Sequence, residues 1–426
     1  MIDYLLGNAP LGEGQGGAVG SKPRHIGPPY YLVNDTFTTD RSAGAVNGTR
    51  AEPGPGVRGA IDTNSKLSLS GGQLVGITGG AANFDPALIC QKPIDRVGGR
   101  LLVSVVNVSA NRLQVGWLSQ PTLTTASVLS NRRGCVDFNT TTLAVAPGAS
   151  GSIPVGSAAL STTYRIAIAL SSAGALFFIK GGSFTNWTLV WIDNTVGFNA
   201  IAYPFAAHLG TTTAFAADYL RVPAARWLAT PLASDGFSVW GMTDGYGHSE
   251  GVAGGLGAGG SGLSWTSAIG AWDVLDGVAV CNPSGGIAAA TVDSGKTDAI
   301  TTAKVTRSGG VAGVLAAYVD ADNHVRAVHN GTNAQLIKRV SGSDTNVISA
   351  AATYSAAAEI RVIREGTAYR LYYNNALVGS QQTISDAVFN SVTKQGLYST
   401  DDAAAFDDFT VYARGSGGEH SALDAF

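Results

Sequence analysis

The sequence predicts an all-β protein, with two tandem antiparallel β-sandwich domains behind an extended N-terminal arm. An internal echo is the first observation behind this. Asp35-Thr36-Phe37 returns as Asp235-Gly236-Phe237, and Asp218-Tyr219 returns as Asp408-Phe409. The chain therefore holds two units, each opened by an Asp-x-Phe strand and closed by an Asp-aromatic strand. Pairing the first strand of each unit with its last would bring the ends of a domain together. Secondly, short apolar runs separated by turn residues dominate, with almost no helical periodicity. Composition agrees: 56 Gly demand turns and bulges, while six Glu and eight Lys leave few strong helix formers besides Ala.

Residues 1–30 read as an arm. Eleven Gly and Pro fall between Gly7 and Pro29, a density that neither helix nor strand survives. Its apolar tip, Tyr4, Leu5 and Leu6, is too small to hold thirty residues on an isolated monomer. It is expected to anchor the chain on neighbouring subunits, which would supply backbone partners.

Residues 31–222 form the first unit. Residues 100–108, 112–118 and 163–170 read as strands, and in the last of these Tyr164, Ile166, Ile168 and Leu170 share one face. Residues 176–179 run into Lys180-Gly181-Gly182, a hairpin signal, and 188–192 return. Residues 145–155, with Gly, Ser and Pro, read as a loop. A connector, 223–233, carries Pro223, Trp227 and Pro231.

Residues 234–413 form the second unit. Strands are expected at 300–306, 314–319, 325–329, 335–340, 359–363 and 369–373. Asn374-Asn375 suits a type I′ turn, because Asn tolerates positive φ, and this hairpin aligns with the one at Lys180-Gly181-Gly182. Residues 246–263 read as a long Gly-rich loop, and 414–426 as a flexible C-terminal tail ending in Phe426.

The second unit resembles the concanavalin A-like, laminin-G-like jelly-roll domains. The residues that carry the likeness are Asp235-x-Phe237, Trp272-Asp273-Val274 with Gly277, residues 317–323 (AYVDADN), the Tyr372-Tyr373-Asn374-Asn375 hairpin and Asp407-Asp408-Phe409. The likeness covers nearly all of 234–413 and extends more loosely over 31–222. It implies two tandem jelly rolls, a module found in phage tail and capsid-surface proteins and in secreted bacterial carbohydrate-binding proteins. It specifies fold well and function poorly.

Composition excludes several functions. Charged residues are 13% of the chain, about half the roughly 25% usual for soluble domains. The net charge is −3 with no basic block, which argues against nucleic acid as a partner. No stretch approaches the ~20 apolar residues of a membrane span, and no basic n-region marks a signal peptide. Cys90, Cys135 and Cys281 are too few and wrongly spaced for a disulfide framework or a zinc site, so they are expected as buried thiols. A weakly charged surface suits a protein that lives packed in an assembly.

Candidate sites are few. Asp320-Ala321-Asp322-Asn323 has the alternating oxygens of a calcium loop, but Val325 and Gly331 stand where an EF-hand needs Gly and Glu. Between strands it reads as a hairpin turn. The resemblance, whose members often hold calcium at a sandwich rim, keeps Ca2+ at Asp320 and Asp322 open. Asp35, Asp218, Asp235, Asp407 and Asp408 lie beside terminal strands and read as turn caps and edge charges, with a cation site as the alternative. The fold's glycosidases carry Glu-x-Asp-x-x-Glu on one strand. No such pattern occurs here, and Glu359 and Glu365 have no Asp between them. His248-Ser249-Glu250 lacks the surroundings of a catalytic triad. His324 and His329, five apart, face opposite sides of a strand, which argues against zinc. Trp240 and Tyr246 sit in loop-like sequence and are the surface candidates for stacking on a glycan, whereas Trp272 and Tyr318 are expected in the core.

These observations lead to a non-enzymatic structural protein of a virus particle. It would be a bacteriophage capsid-surface, decoration or tail protein, held by its arm to itself and to other virion proteins and contacting host glycans. Its expected location is the virion, after synthesis in the host cytoplasm. The alternative is a carbohydrate-binding adhesin or lectin of a bacterium, located extracellularly or on the cell surface.

Overall fold

The computed structural model of the 426-residue chain describes residues 31–52, 56–76, 85–95, 99–108, 112–121, 124, 128, 130–139, 141–147, 151–171, 174–193, 201–209, 215–224, 232–237, 256, 264–415, 418 and 420–425. It divides into two compact units, 1–229 together with 417–426, and 230–416.

The first unit contains β1 (Tyr31–Asp35), β2 (Arg58–Ile61), β3 (Leu67–Ser70), β4 (Gln73–Gly76), β5 (Ala87–Cys90), β6 (Ile94–Asp95), β7 (Arg100–Val108) and β8 (Arg112–Leu118). It continues with β9 (Arg132–Asn139), β10 (Thr142–Ala146), β11 (Ile153–Ser157), β12 (Thr162–Ser171), β13 (Gly174–Gly181), β14 (Phe184–Asp193), β15 (Ile201–Leu209) and β16 (Phe215–Pro223). One sheet runs β14-β13-β12-β7-β16-β4-β3, with β1 also on β16, and the other runs β11-β10-β9-β8-β15-β5-β2, with β6 on β15.

The second unit contains β17 (Ala233–Asp235), β18 (Thr266–Ile269), β19 (Ala271–Leu275), β20 (Val278–Asn282), β21 (Ala288–Asp293), β22 (Ala299–Thr306), β23 (Ala312–Asp320) and β24 (Asn323–His329). Then come β25 (Asn333–Val340), β26 (Ser343–Ala351), β27 (Ala358–Glu365), β28 (Ala368–Tyr373), β29 (Ala376–Thr383), β30 (Lys394–Ser399) and β31 (Ala405–Ala413). Its sheets run β29-β28-β27-β22-β31-β20-β19, with β17 on β31, and β26-β25-β24-β23-β30-β21-β18.

Set side by side in chain order, the two units have one topology. β1 corresponds to β17 and β16 to β31, and among the described strands β6 alone lacks a counterpart. The first strand lies against the last in both, Asp35 opposite Leu220 and Asp235 opposite Phe409. The Asp-aromatic echo is a repeated irregularity. The ladder skips a residue between Ala217 and Tyr219 in β16, and between Thr302 and Lys304 where β22 meets Asp407–Thr410 of β31. Asp218 and Asp408 are the extra residues, and Asp408 holds φ at +49°. A bulge there steepens the strand's twist as it crosses from one neighbour to the next.

Alternation builds each core. In β12, Tyr164, Ile166, Ile168 and Leu170 are fully buried; Tyr164 meets Phe138 of the opposing sheet at 5.0 Å between ring centroids, and Trp117 Nε1 donates to the Ile168 carbonyl at 3.3 Å. In the second unit, Val314, Leu336, Leu397, Ile360, Leu371 and Val411 of the two sheets meet in one cluster. The hairpins follow local chemistry. Asn374 and Asn375, at φ +48° and +65°, close β28 onto β29 with Tyr373 opposite Ala376, and Gly182 at φ +59° closes β13 onto β14.

Three expectations need correction. Residues 145–155 are not wholly loop: β10 reaches Ala146 and β11 begins at Ile153, and Pro154 is tolerated because β11 is an edge strand. Tyr318 is buried but lies outside the inter-sheet core, for a reason given below. The C-terminal residues do not run free. Ser421–Ala425 form a 3-10 turn with Leu423 buried, and Asp424 is ion-paired to Lys180. Among the described residues no helix is long and apolar enough to cross a membrane.

Candidate functional site

The outer face of the second unit's seven-stranded sheet, facing away from the inter-sheet core, carries a cluster of polar and aromatic side chains. Period-2 alternation sends Val325 and Ala327 inward and His324, Arg326 and Val328 outward. Register then sets neighbours in rows. Arg339 stands opposite His324 and Asp344, Ile337 opposite Arg326 and Asn346, and Gln335 opposite Val328 and Ser349. Tyr398 of β30 and Tyr318 of β23 complete the face.

Tyr318 reaches it through a bulge. Strict alternation from Val314 would turn it inward, but the ladder between β23 and β24 gains a residue between Leu315 and Ala317 and reverses the faces.

Asp344 is the hub. Arg326 donates to it in a fork, Nη1 to Oδ1 at 3.1 Å and Nη2 to Oδ2 at 2.7 Å, and Arg339 Nη1 donates to Oδ1 at 3.2 Å. Burial works against the Asp344 carboxylate, yet hydrogen bonds and charge from Arg326 and Arg339 hold it below the usual range. The Arg326 guanidinium also lies 4.8 Å from the Tyr398 ring centroid, a cation–π contact, and its Nη1 is 2.8 Å from His324 Nε2. A guanidinium can only donate, so Nε2 accepts and the His324 proton sits on Nδ1, 3.3 Å from the Asp320 carbonyl. Burial first, then the Arg326 charge, bring His324 down to about 4.

The face changes character across the sheet. Arg326 and Tyr398 are buried, whereas Asp344, Asn346 and Ser349 on the edge strand are exposed, with Gln335 and Arg339 half-buried. Gln335 Nε2 donates to Ser349 Oγ at 3.2 Å. The open part is a row of planar amide, guanidinium, carboxylate and hydroxyl groups, continued inward by the buried Arg326–Tyr398 stack. It can exchange hydrogen bonds with a polyhydroxylated ligand.

Asp320 and Asp322 fall in the turn joining β23 to β24, with Asp320 opposite Asn323. The Asp320 carboxylate already accepts from the Asp322 N–H at 2.8 Å and from Asn323 Nδ2 at 2.9 Å. Among the described residues no group of three His, Cys, Asp or Glu is placed to hold a metal ion. Asp35 and Asp235 are buried hydrogen-bond acceptors at the start of each unit. Asp408 is ion-paired to Lys304, which puts an ammonium where a cation would sit. Burial, then the neighbouring Asp408 charge, push Asp407 upward. Glu359 pairs with Arg361, and Glu365 with Arg370 and Arg414. His324 faces outward, while His329 faces inward against Tyr373 at 4.7 Å. Trp272 packs in the core, and the three cysteines are buried thiols. Trp240, Tyr246, the His248-Ser249-Glu250 stretch and the arm residues Tyr4, Leu5 and Leu6 lie outside the described residues. Sequence reasoning missed Arg326, Arg339, Asp344 and Tyr398; the signal available was the polar alternation His324-x-Arg326 and Gln335-x-Ile337-x-Arg339.

Neither a family model nor a curated protein sequence matches this chain. Solved structures similar to it include a carbohydrate-binding module, CBM66, from Bacillus subtilis (TM-score 0.30, 17% identity, 35% of this chain and 95% of that one). Others are the metal-free exoplasmic/lumenal domain of VIP36 (0.33, 8%, 43% and 90%) and SCLam, a non-specific endo-beta-1,3(4)-glucanase of family GH16 (0.31, 11%, 47% and 92%). At TM-scores this low the likenesses assign nothing to this chain.

Proposed function

We propose that the protein is a non-catalytic binding protein whose second unit holds a glycan on the outer face of β24–β26. One observation carries the reading: the solvent-open row Gln335, Ser349, Asn346, Arg339 and Asp344, continuous with the Arg326–Tyr398 stack. Such side chains offer donors and acceptors in fixed directions, which is how a binding face orients a polar ligand.

Hydrolysis is not part of the proposal. Glu359 and Glu365 lie on one strand six positions apart, which at ~3.3 Å per residue is about 20 Å. A glycosidase pair stands ~5–9.5 Å apart across the sugar, and both glutamates are engaged by arginines. The test is to screen the full chain against an array of polysaccharides while assaying each for released reducing ends. Retention without release is expected; release abolished by Glu359→Gln or Glu365→Gln would refute it.

A second reading, a structural protein of a bacteriophage particle, draws on the sequence: 13% charged residues and a Gly/Pro-rich arm. Calcium as a peripheral ion, an extracellular or virion location, and virion partners belong to these proposals. Incorporation of a chain lacking residues 2–30 into particles or oligomers would refute the arm's anchoring role.

A further inference from the structure

The C-terminal segment crosses from one unit to the other. Strand β31 and Arg414 belong to the second unit, and residues 417–426 to the first. The turn Ser421–Ala425 sits on the outer face of the sheet containing β12, β13 and β14. Asp424 accepts hydrogen bonds from Lys180 Nζ at 2.7 and 2.9 Å and from Trp187 Nε1 at 3.0 Å, and pairs with the Arg165 charge, whose Nη1 is 3.5 Å away. His420 meets Phe178 edge-on at 4.9 Å, and Leu423 is 1% exposed. The seat suits one short acidic peptide, with a carboxylate clamp at Asp424 and apolar contacts from His420 and Leu423 just before it.

We propose that this seat is exchangeable and takes the C-terminal segment of a second copy of the chain, so that the tail links copies. The connection is Gly415-Ser416-Gly417-Gly418, with Gly415 and Gly418 at φ +95° and +84°. Glycine pivots of this kind let a tail leave its own seat without disturbing β31. One buried leucine and ion pairs whose side chains are 28–51% exposed hold the tail; pairs that open to water are weakened by salt. Contacts in the exchanged form are the same as in the closed form, so exchange costs little beyond bringing two copies together. Phosphates or nucleic acid are poor alternatives for the seat, because Asp424 already neutralises its cations.

The test uses two complementary forms of the full chain. One lacks residues 419–426 and keeps the seat. The other keeps the tail and carries Arg165→Glu with Lys180→Glu, at side chains exposed enough to leave the fold intact. The forms, tagged differently and mixed, are expected to co-purify, each alone to remain monomeric by light scattering, and Asp424→Lys in the tail donor to abolish capture. A peptide of residues 418–426 is expected to change the fluorescence of the tail-less form through Trp187. Failure of the two forms to co-purify, with both folded by melting, would overturn the proposal even if the peptide binds. Capture that survives Asp424→Lys would overturn it as well.

Discussion

Asp35 and Asp235 occupy the same position in the two units and perform the same act with different partners. Each is the last residue of the opening strand, and each accepts a hydrogen bond at Oδ1 from the N–H two residues on, Phe37 at 3.4 Å and Phe237 at 2.8 Å. Both phenylalanines hold positive φ, +54° and +48°, and both are fully buried. The left-handed backbone costs roughly 1–2 kcal/mol, which burial of the ring offsets at ~1.5–3 kcal/mol. The remaining partner differs. In the first unit the carboxylate takes the Arg58 fork across both oxygens, Nε to Oδ2 at 2.8 Å and Nη2 to Oδ1 at 2.7 Å. In the second it takes Trp265 Nε1 at 2.8 Å.

That difference predicts unequal losses. Asp35→Asn leaves the buried Arg58 without its counter-charge and should cost about 3–5 kcal/mol. Asp235→Asn keeps an acceptor for one of its two neutral donors, Phe237 N–H and Trp265 Nε1–H, turns an NH2 toward the other, and should cost about 1–3 kcal/mol. Denaturant titration of each variant measures the gap, and equal losses would contradict the assignment of partners.

Acid should loosen the second unit through His324. His324 is held at about 4 in the folded chain, against 6.5 unperturbed. Between those values the unfolded chain binds a proton that the folded chain refuses, so stability falls as pH drops through this window and is flat above it. The loss is on the order of 3 kcal/mol. His329 is lowered too, by burial first, and Asp344 adds its loss further down, as pH falls through its own depressed range. Melting from pH 7.5 to 4 should show the decline, and His324→Gln should flatten it; an unchanged slope would contradict it.

Gly313 in β23 has no room for a side chain, because a Cβ there would run into the Ala327 carbonyl of the neighbouring strand. Gly313→Ala should destabilise by about 1–3 kcal/mol or more. Gly309, whose Cβ would meet nothing within 4 Å, should accept Ala with a change within about ±0.5 kcal/mol. Thermal melts of the two variants check the contrast.

Chelation should leave the melting temperature unchanged, since Asp320 is already satisfied by its own turn. A drop of several degrees in EDTA that disappears in Asp320→Ala would mean that calcium holds this hairpin.

The parts legible in the sequence were those set by local chemistry. Asp-x-Phe, Asn374-Asn375 and the Asp320–Asn323 turn each act within a few residues, so their types announce their geometry. The site was not legible, because its side chains come from five strands, β23 to β26 and β30, whose register is fixed across the sheet. Tyr318 shows the obstacle most plainly: one extra residue after Leu315 reverses the faces, and alternation counted along the chain then points the ring the wrong way. Strand β26, SDTNVISAA, was missed altogether, since an exposed edge strand needs no apolar face to betray it.

The most direct test of the account is calorimetric titration of the full chain with the best array ligand, beside Gln335→Ala with Asn346→Ala. Both side chains are at least partly exposed and lie on the open row, so the double variant should melt like the parent. An affinity loss of about tenfold or more, equivalent to ~1.4 kcal/mol, is expected at unchanged stability. Undiminished affinity in the double variant would contradict it.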